Sequence, residues 1–394
     1  MRSVVIVGAS LAGLSAARSL RRLGFDGTIT LVGDEAHLPY QRPPLSKQFL
    51  CGGVDRARLD LRVGDDLELD WCLGGRAVGL DLARREVALE DARRLPFDGL
   101  VIATGARARK PRWYSPLDGV FTLRTVDDAL AIRAKVASGA RRFAIVGAGF
   151  IGCETAATLR GLGCDVTLID VDRVPMLRVL GDRLGAACLR LHESHGVTMA
   201  LGAAVDGFVG TQRVEGVRLA DGRIIEADAV IVGVGVAPNV EWLGGSGVPL
   251  DDGVVCDATC AVRGLSRVVA AGDVARWDHP YHGPRRVEHW NNAIAQADRA
   301  AQTLLAPAAA KAYAAIPFFW SDQYDRKLQL VGAPGPGDPI RVVEGALDER
   351  RFVALFERDG MVTGAMLCNS MHRVAHYTDI VEAAARGAGH EAAA

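Results

Sequence analysis

The sequence lacks several features that would place it in a particular class of protein. Its 394 residues contain no CxxC pair, and the eight cysteines are scattered without the spacing of a zinc site. No apolar run is long enough to span a bilayer, and the N-terminus lacks the pattern of a signal peptide. The formal net charge is only −1, which points neither to nucleic acid nor to a membrane as a partner. We therefore expect a cytoplasmic protein of two or three domains whose cysteines are mostly free and buried.

What the sequence does contain is one pattern that occurs twice. Each copy is an apolar strand, a glycine turn, a helix and a second apolar strand, and a turn in this setting binds the pyrophosphate of a dinucleotide. The key positions of the turns are Gly8, Ser10 and Gly13 in the first copy, and Gly147, Gly149 and Gly152 in the second. The repeat predicts an α/β protein with two Rossmann-like dinucleotide-binding domains.

The two turns differ at their middle position. The outer glycines allow the tight turn and the close packing of helix on strand, whereas the middle glycine admits the pyrophosphate. Ser10 stands at this position in the first turn, where its small hydroxyl side chain can still donate to a phosphate. The second turn is complete, and the start of its helix at Phe150 and Ile151 presents backbone N–H groups and the positive end of the helix dipole.

The nucleotide of the second unit is predicted to be NADH. Asp170 ends the strand that follows the second helix, where a carboxylate binds the ribose hydroxyls and repels a 2′-phosphate. Arg173 lies close enough in the sequence to leave NADPH open. Two dinucleotide units in one chain need two dinucleotides, and FAD with NAD(P)H is the common pair.

Further apolar strands close the two units. They span residues 100–105 and 229–235, and a third buried strand is expected over residues 267–273. The residues at their ends are candidate cofactor contacts: Ala103, Thr104, Gly105, Gly272 and Asp273 for the first unit, and Gly233, Val234 and Gly235 for the second.

A change of pattern near residues 306–310 predicts a third domain. A helix fits residues 291–305, and after the alanine-rich stretch the chain reads as short strands separated by turns. We expect a discontinuous FAD-binding domain over residues 1–107 and 236–308, an NAD-binding domain over residues 108–235, and a C-terminal α+β interface domain over residues 309–394.

Several longer runs carry a resemblance to a known family. The most specific is His-Leu-Pro-Tyr-Gln-Arg-Pro-Pro-Leu-Ser-Lys at residues 37–47, and the others lie at residues 123–125, 272–273, 288–290 and 319–324. On these runs nearly the whole chain resembles the NADH-dependent ferredoxin reductases of ring-hydroxylating dioxygenases and bacterial haem monooxygenases. These enzymes belong to the glutathione-reductase-type flavoproteins. The resemblance implies an FAD enzyme that takes hydride from NADH and passes electrons singly to a [2Fe–2S] ferredoxin, as a monomer or homodimer.

The resemblance also implies roles for individual residues. Lys47 would approach the flavin, Glu154 would hold the nicotinamide carboxamide, and Trp320 would border the isoalloxazine ring, so these three are the candidate catalytic residues. The further residues that the resemblance places along FAD are Ala12, Asp34, Arg42, Pro44, Val78, Arg124, Asp273, Glu288, His289 and Trp290.

The electron acceptor is the point at which alternatives stay open. Disulfide reductases of this superfamily carry a cysteine pair near the flavin, whereas residues 45–51 contain only Cys51. Cys51 leaves an NADH oxidase or peroxidase as an alternative, and a non-catalytic redox-sensing flavoprotein is a second one. An acidic ferredoxin would need a basic docking face. The residues that could form this face, or could simply be solvated loop charges, are Arg107, Arg109, Lys110, Arg112, Arg285 and Arg286.

Overall fold

A computed structural model describes residues 1–335 and 337–391 of the chain. Within them lie seven α-helices: α1 (Leu11–Arg22), α2 (Arg56–Leu59), α3 (Val126–Ala137), α4 (Phe150–Gly161), α5 (Leu177–Ser194), α6 (Trp290–Leu305) and α7 (Val374–Glu391). In this part of the chain, no helix is both long and apolar enough to cross a bilayer.

The first glycine turn belongs to a parallel five-stranded sheet. The strands in spatial order are Val268–Ala270, Gly99–Ile102, Ser3–Val7, Thr28–Gly33 and Leu69–Leu73. The central strand is buried on both faces, and its apolar run reflects this, since parallel sheets are covered by helices on each side. Helices α1 and α6 pack against one another beside this sheet.

The second glycine turn belongs to a second parallel sheet with the same arrangement. Its strands in spatial order are Thr198–Leu201, Asp165–Asp170, Arg142–Val146, Ala229–Val232 and Val120–Phe121. Val146 lies beside Ile169 on one side and Val232 on the other, so the apolar ends of three strands meet at the turn. Each glycine turn therefore leaves the carboxyl edge of its sheet, where α/β proteins bind nucleotides.

Three small sheets of short strands accompany the two parallel sheets. Each unit carries a three-stranded sheet: Ala77–Asp81, Glu86–Leu89 and Arg94–Pro96 in the first, and Val205–Val209, Gly216–Leu219 and Ile224–Glu226 in the second. The strands Val254–Cys256, Ala275–His279 and Gly283–Arg286 form a further sheet. The chain passes between the two units through the antiparallel pair Ala106–Ala108 and Val236–Pro238.

The last sheet is antiparallel and packs on both of its faces. Its strands in spatial order are Phe318–Gln323, Arg326–Gly332, Met361–Cys368, Phe352–Arg358 and Ile340–Gly345. Alternation along Phe352–Arg358 sends Val353 and Leu355 towards Tyr377 and Val381 of α7. Phe352 and Phe356 on the same strand join the core of the second unit instead, as part of a cluster that includes the Asp165–Asp170 strand. The period-2 pattern thus fixes this sheet against the rest of the protein.

The predicted fold class is confirmed, and the differences lie at element ends. The helix expected over residues 291–305 begins one residue earlier at Trp290, which puts His289 at its N-cap. The C-terminal strands are longer than their apolar runs because cross-strand pairing continues through polar residues such as Ser321 and Gln323. The domain limits stay a prediction; two of them fall at the Ala106–Ala108 and Val236–Pro238 link.

Buried histidines are expected to make this fold sensitive to acid. His279 is 2% exposed; its Nε2 lies 3.1 Å from the Ala315 carbonyl oxygen, and its Nδ1 accepts the Tyr281 N–H. Burial lowers the pKa of His279 to about 4. The unfolded chain, with a pKa near 6.5, therefore binds more protons between pH 6.5 and 4, and stability falls as the pH falls through this window.

We expect the His279→Gln variant to lose less stability than the wild type between pH 6.5 and 4, by up to about 3 kcal/mol. Urea unfolding as a function of pH measures this difference. The exposed His376 provides the control, since His376→Gln should keep the wild-type pH profile. A His279→Gln profile parallel to that of the wild type would show that this imidazole does not cause the acid loss.

Candidate active site

The second glycine turn has one middle residue that faces open space. A Cβ on Gly152 would lie 1.9 Å from the Gly147 carbonyl oxygen, so α4 can approach the turn only without a side chain there. Gly149 is the N-cap of α4, and beyond its own stretch of backbone no heavy atom of the described residues lies within 4 Å of the position its Cβ would take. This space beside the N–H groups at the start of α4 fits a dinucleotide pyrophosphate.

The first turn repeats this geometry with a serine. A Cβ on Gly13 would lie 1.9 Å from the Gly8 carbonyl oxygen, and one on Gly8 would meet the Ala103 carbonyl oxygen at 2.0 Å. Ser10 is the N-cap of α1, yet its hydroxyl does not make the usual capping bond to the helix backbone. The hydroxyl is therefore not used by the helix backbone, and its contact with a phosphate stays a prediction. Gly272, which follows the Val268–Ala270 strand, lies close to the start of α1, because its Cβ would lie 2.9 Å from that of Ala12.

Asp170 lies against the second turn. Its carboxylate accepts the Ala148 N–H at 2.5 Å and the Asp172 N–H at 2.9 Å, which fixes it at the end of the Asp165–Asp170 strand. Arg173, the residue that left NADPH open, pairs with Asp182 at 2.6 Å on the surface. This arrangement favours NADH.

A group of charged side chains lies beside Gly272. Asp273 pairs with Arg124 at 2.6 Å, and Arg124 also donates from Nε to the Ala106 carbonyl oxygen at 2.9 Å. Arg42 donates to the Arg124 carbonyl oxygen at 2.9 Å and pairs with Glu35 at 2.5 Å. Three residues that the sequence assigned to FAD are thus brought together, whereas Glu35 was missed because the prediction fell on its neighbour Asp34.

Other predicted residues lie at the surface and are not brought into these contacts. They are Asp34, Val78, Ile151, Gly235 and Glu288. Glu288 pairs with Arg286 at 2.7 Å. Val78 and Ile151 are apolar side chains that are 47% and 46% exposed. Their roles stay predictions.

Lys47 and Glu154 form a buried ion pair at the centre of the site. The Lys47 Nζ lies 2.8 Å from Glu154 Oε2, and the two side chains are 9% and 3% exposed. Ser46 donates to the same oxygen at 2.5 Å, and Ser321 donates to Oε1 at 2.8 Å. The run over residues 37–47, helix α4 after the second glycine turn and the C-terminal sheet therefore meet at one carboxylate. Both serines lie inside the quoted runs, but nothing in the sequence showed that they reach Glu154.

Aromatic side chains pack where α4 and α6 meet the Phe318–Gln323 strand. Trp290, the first residue of α6, meets Trp320 edge to face with 6.2 Å between ring centroids. Phe319 packs on Phe150 of α4 at 4.4 Å and on His289 at 4.9 Å. Burial lowers the pKa of His289 to about 4, and its Nδ1 has no hydrogen-bond partner among the described residues. A neutral imidazole with a free nitrogen at this place fits a site that holds a further polar group.

The proposed basic face is smaller than the sequence suggested. Arg286 has an 8% exposed side chain and pairs with Asp252 and Glu288, and Arg107 pairs with Glu241 at 2.5 Å. Arg285 is half-buried, and burial lowers its pKa to about 10. Of the six candidate cations, Arg109, Lys110 and Arg112 are the ones that are exposed and have no carboxylate partner in the part of the chain that the structure describes.

All eight cysteines are free. Cys51 is exposed, and its thiol donates to the Gln48 carbonyl oxygen at 3.4 Å. Six others are buried and Cys72 is partly buried, as expected for structural thiols.

Two dinucleotide turns around a buried lysine–glutamate pair define a reductase of the two-dinucleotide flavoprotein class. The chain belongs to the pyridine nucleotide-disulphide oxidoreductase family, whose model matches residues 2–297, and a reductase C-terminal model matches residues 318–394. The cofactors are FAD and NADH, as expected.

Curated relatives and solved structures are similar over most of the chain. Rhodocoxin reductase of Rhodococcus erythropolis is 40% identical over 356 residues, which cover 89% of this chain and 82% of that protein. The ferredoxin–NAD(+) reductase component of the biphenyl dioxygenase system of Paraburkholderia xenovorans is 38% identical over 96% of this chain and 93% of its own. The structure of a covalent putidaredoxin reductase–putidaredoxin complex aligns with a TM-score of 0.89 at 33% identity, covering 96% of this chain and 91% of that one.

Gly149 and Gly152 are expected to respond differently to substitution by alanine. Gly149→Ala should fold normally but bind NAD⁺ about tenfold more weakly, because its Cβ enters the space for the pyrophosphate. Gly152→Ala should lower the free energy of unfolding by about 2 kcal/mol, because its Cβ meets a backbone oxygen.

Calorimetric NAD⁺ titration and urea unfolding of the FAD-loaded protein separate the two effects. Gly161→Ala in the same helix is the control, since open space surrounds that position; its NAD⁺ affinity should stay at the wild-type level and its free energy of unfolding should not fall. Unchanged NAD⁺ affinity in Gly149→Ala would contradict the assignment of this space.

Proposed function

We propose that this chain is an NADH:ferredoxin oxidoreductase that delivers electrons singly to a [2Fe–2S] ferredoxin of a ring-hydroxylating dioxygenase or haem monooxygenase system. The observation that carries the proposal is the buried Lys47–Glu154 pair, which joins the FAD-side loop to the NAD-side helix. Relatives support the acceptor, since the names of several describe ferredoxin–NAD(+) reductases of dioxygenase systems.

Each group at this junction has a chemical task. FAD, when bound on the Gly8 turn, supplies the acceptor for hydride and the donor of single electrons. The Lys47 cation stabilises negative charge that develops beside it, and the positive end of α6 at Trp290 adds to this effect. The Glu154 carboxylate can accept an N–H of the NADH carboxamide. Trp290 and Trp320 keep water away from the site.

We propose that the ferredoxin docks by electrostatic attraction. Arg109, Lys110 and Arg112 lie on one exposed segment and are not neutralised by carboxylates, so they can steer an acidic ferredoxin. The eight free cysteines support a reducing compartment, and we propose a cytoplasmic location on that basis.

Anaerobic titration with NADH distinguishes this function from an oxidase or peroxidase that uses Cys51. We expect one NADH per FAD to bleach the visible spectrum fully, because the flavin is the only redox centre. Cys51→Ser should give the same stoichiometry. Consumption of a second equivalent by the wild type, lost in Cys51→Ser, would establish the thiol as an acceptor and overturn the proposal.

Charge reversal tests the docking face. The triple variant Arg109→Glu, Lys110→Glu, Arg112→Glu should raise the KM for ferredoxin about tenfold at low salt and flatten its salt dependence. Flavin reduction by NADH without ferredoxin should stay at the wild-type rate. Reversal of the exposed Arg18, Arg58 and Arg94 makes the same change in net charge elsewhere and should leave this KM unaffected. If both triple variants raised the KM for ferredoxin equally, the effect would come from net charge and not from a docking face at these three residues.

A further inference from the structure

A line of buried polar side chains leads away from Glu154 through the C-terminal sheet. Ser321 Oγ lies 2.8 Å from Glu154 Oε1, and Gln323 Nε2 lies 3.1 Å from Ser321 Oγ. His192 Nε2 lies 3.1 Å from Gln323 Oε1, and Tyr324 Oη lies 3.0 Å from His192 Nδ1. The line joins α4, the Phe318–Gln323 strand and α5.

These groups are withdrawn from water. Ser321, Gln323 and His192 are each 0% exposed, and Glu154 is 2% exposed. Ser321 and Gln323 are two residues apart on one strand and so point to the same face, beside the apolar cluster that contains Leu328 and Leu330. Polar groups in such a place cost stability unless every member is hydrogen-bonded, so apolar side chains would serve the fold alone equally well.

The hydrogen positions along the line have one consistent assignment. The ionised Glu154 can only accept, so the single hydroxyl proton of Ser321 points to it, and Ser321 must accept from the Gln323 amide nitrogen. Gln323 then presents its carbonyl oxygen to His192. His192 is neutral because burial lowers its pKa to about 4, so Nε2 donates to Gln323 while Nδ1 accepts from Tyr324. Every donor in the line points towards Glu154.

The other oxygen of Glu154 is held from the opposite side. Lys47 at 2.8 Å and Ser46 at 2.5 Å both contact Oε2, and Thr158 of α4 donates to the Ser46 carbonyl oxygen at 2.7 Å. Bonds from two directions allow the carboxylate one orientation only. If the line were broken at Ser321, Oε1 would lose its protein donor and the carboxylate could rotate about its bond to Lys47.

We propose that Ser321, Gln323 and His192 are positioning residues that orient the Glu154 carboxylate for NADH. The inference rests on the proposed function, in which Glu154 contacts the nicotinamide carboxamide. None of the three needs to touch NADH, and their effect reaches the nucleotide only through Glu154. Their loss therefore weakens nucleotide binding, while the transfer of electrons to ferredoxin is unaffected.

Ser321→Ala in the FAD-loaded enzyme is the first test. The Kd for NAD⁺, measured by calorimetry, and the KM for NADH should both rise roughly fivefold to twentyfold, the loss of one hydrogen bond to a charged group. The kcat with ferricyanide should change by less than about twofold, since the lost interaction orients bound nucleotide equally before and during transfer. FAD content and the visible spectrum report whether the holoenzyme is intact.

Ser370→Ala is the matched control. Ser370 is 1% exposed and belongs to the same part of the chain, but its hydroxyl donates to the Cys368 carbonyl oxygen at 3.0 Å and has no part in the line. This variant loses a buried serine hydroxyl without touching Glu154, so its Kd for NAD⁺ should equal that of the wild type.

A pair of His192 variants separates positioning from packing. His192→Gln keeps an N–H that can reach Gln323, whereas His192→Leu removes it. We expect His192→Leu to weaken NAD⁺ binding as Ser321→Ala does, and His192→Gln to bind NAD⁺ at least about threefold more tightly than His192→Leu. If His192→Leu does not fold, two other comparisons decide the question. They are His192→Gln with the wild type, and Ser321→Ala with Ser370→Ala.

Two results would overturn the inference. One is a wild-type Kd for NAD⁺ in Ser321→Ala, and the other is an equal rise in Ser321→Ala and Ser370→Ala, which would mark a general packing effect. A wild-type holoenzyme that neither binds NAD⁺ nor is reduced by NADH would instead refute the proposed function itself, so the two failures are distinguishable.

Discussion

The buried ion pair between Lys47 and Glu154 is the contact around which the candidate active site is arranged. Two charges can be withdrawn from water only if they neutralise each other and if the remaining lone pairs of the carboxylate find donors. Glu154 obtains these donors from Ser46 on one side and Ser321 on the other. The requirement ties three separate parts of the chain to one position, and loss of either charge would leave its partner buried and unpaired.

The C-terminal sheet can supply Ser321 because its two faces have different partners. Alternate residues of Phe352–Arg358 pack on α7 or on the core of the second dinucleotide unit, so the sheet cannot slide by one residue without turning its apolar side chains to the wrong face. The same register holds Trp320 beside Trp290 and keeps Ser321 and Gln323 on the inner face. Packing of an apolar sheet thus sets the position of the polar groups at the active site.

The parts of the fold and of the candidate site that depend on consecutive residues could be predicted from the sequence. The two strand–turn–helix patterns located both glycine turns, because strand, turn and helix follow one another in the chain. Gly13 and Gly152 each approach the carbonyl oxygen of the glycine five residues earlier. The assignment of Lys47 and Glu154 came from resemblance, and the structure places them 2.8 Å apart. Glu35 was missed because two acids follow one another at the strand end, and only the tertiary structure shows that Arg42 reaches the second.

By itself the sequence determined the fold class, the two nucleotide turns and the family, because apolar periodicity and glycine turns are properties of short segments. Only the tertiary structure decided which side chains hold Glu154 and which arginines are left uncommitted. Ser321 lies 167 residues from Glu154 along the chain, and His192 lies 131 residues from Gln323. Pairings at such distances depend on how three packed sheets meet, and a buried serine, glutamine or histidine carries no local pattern that distinguishes it from any other polar residue.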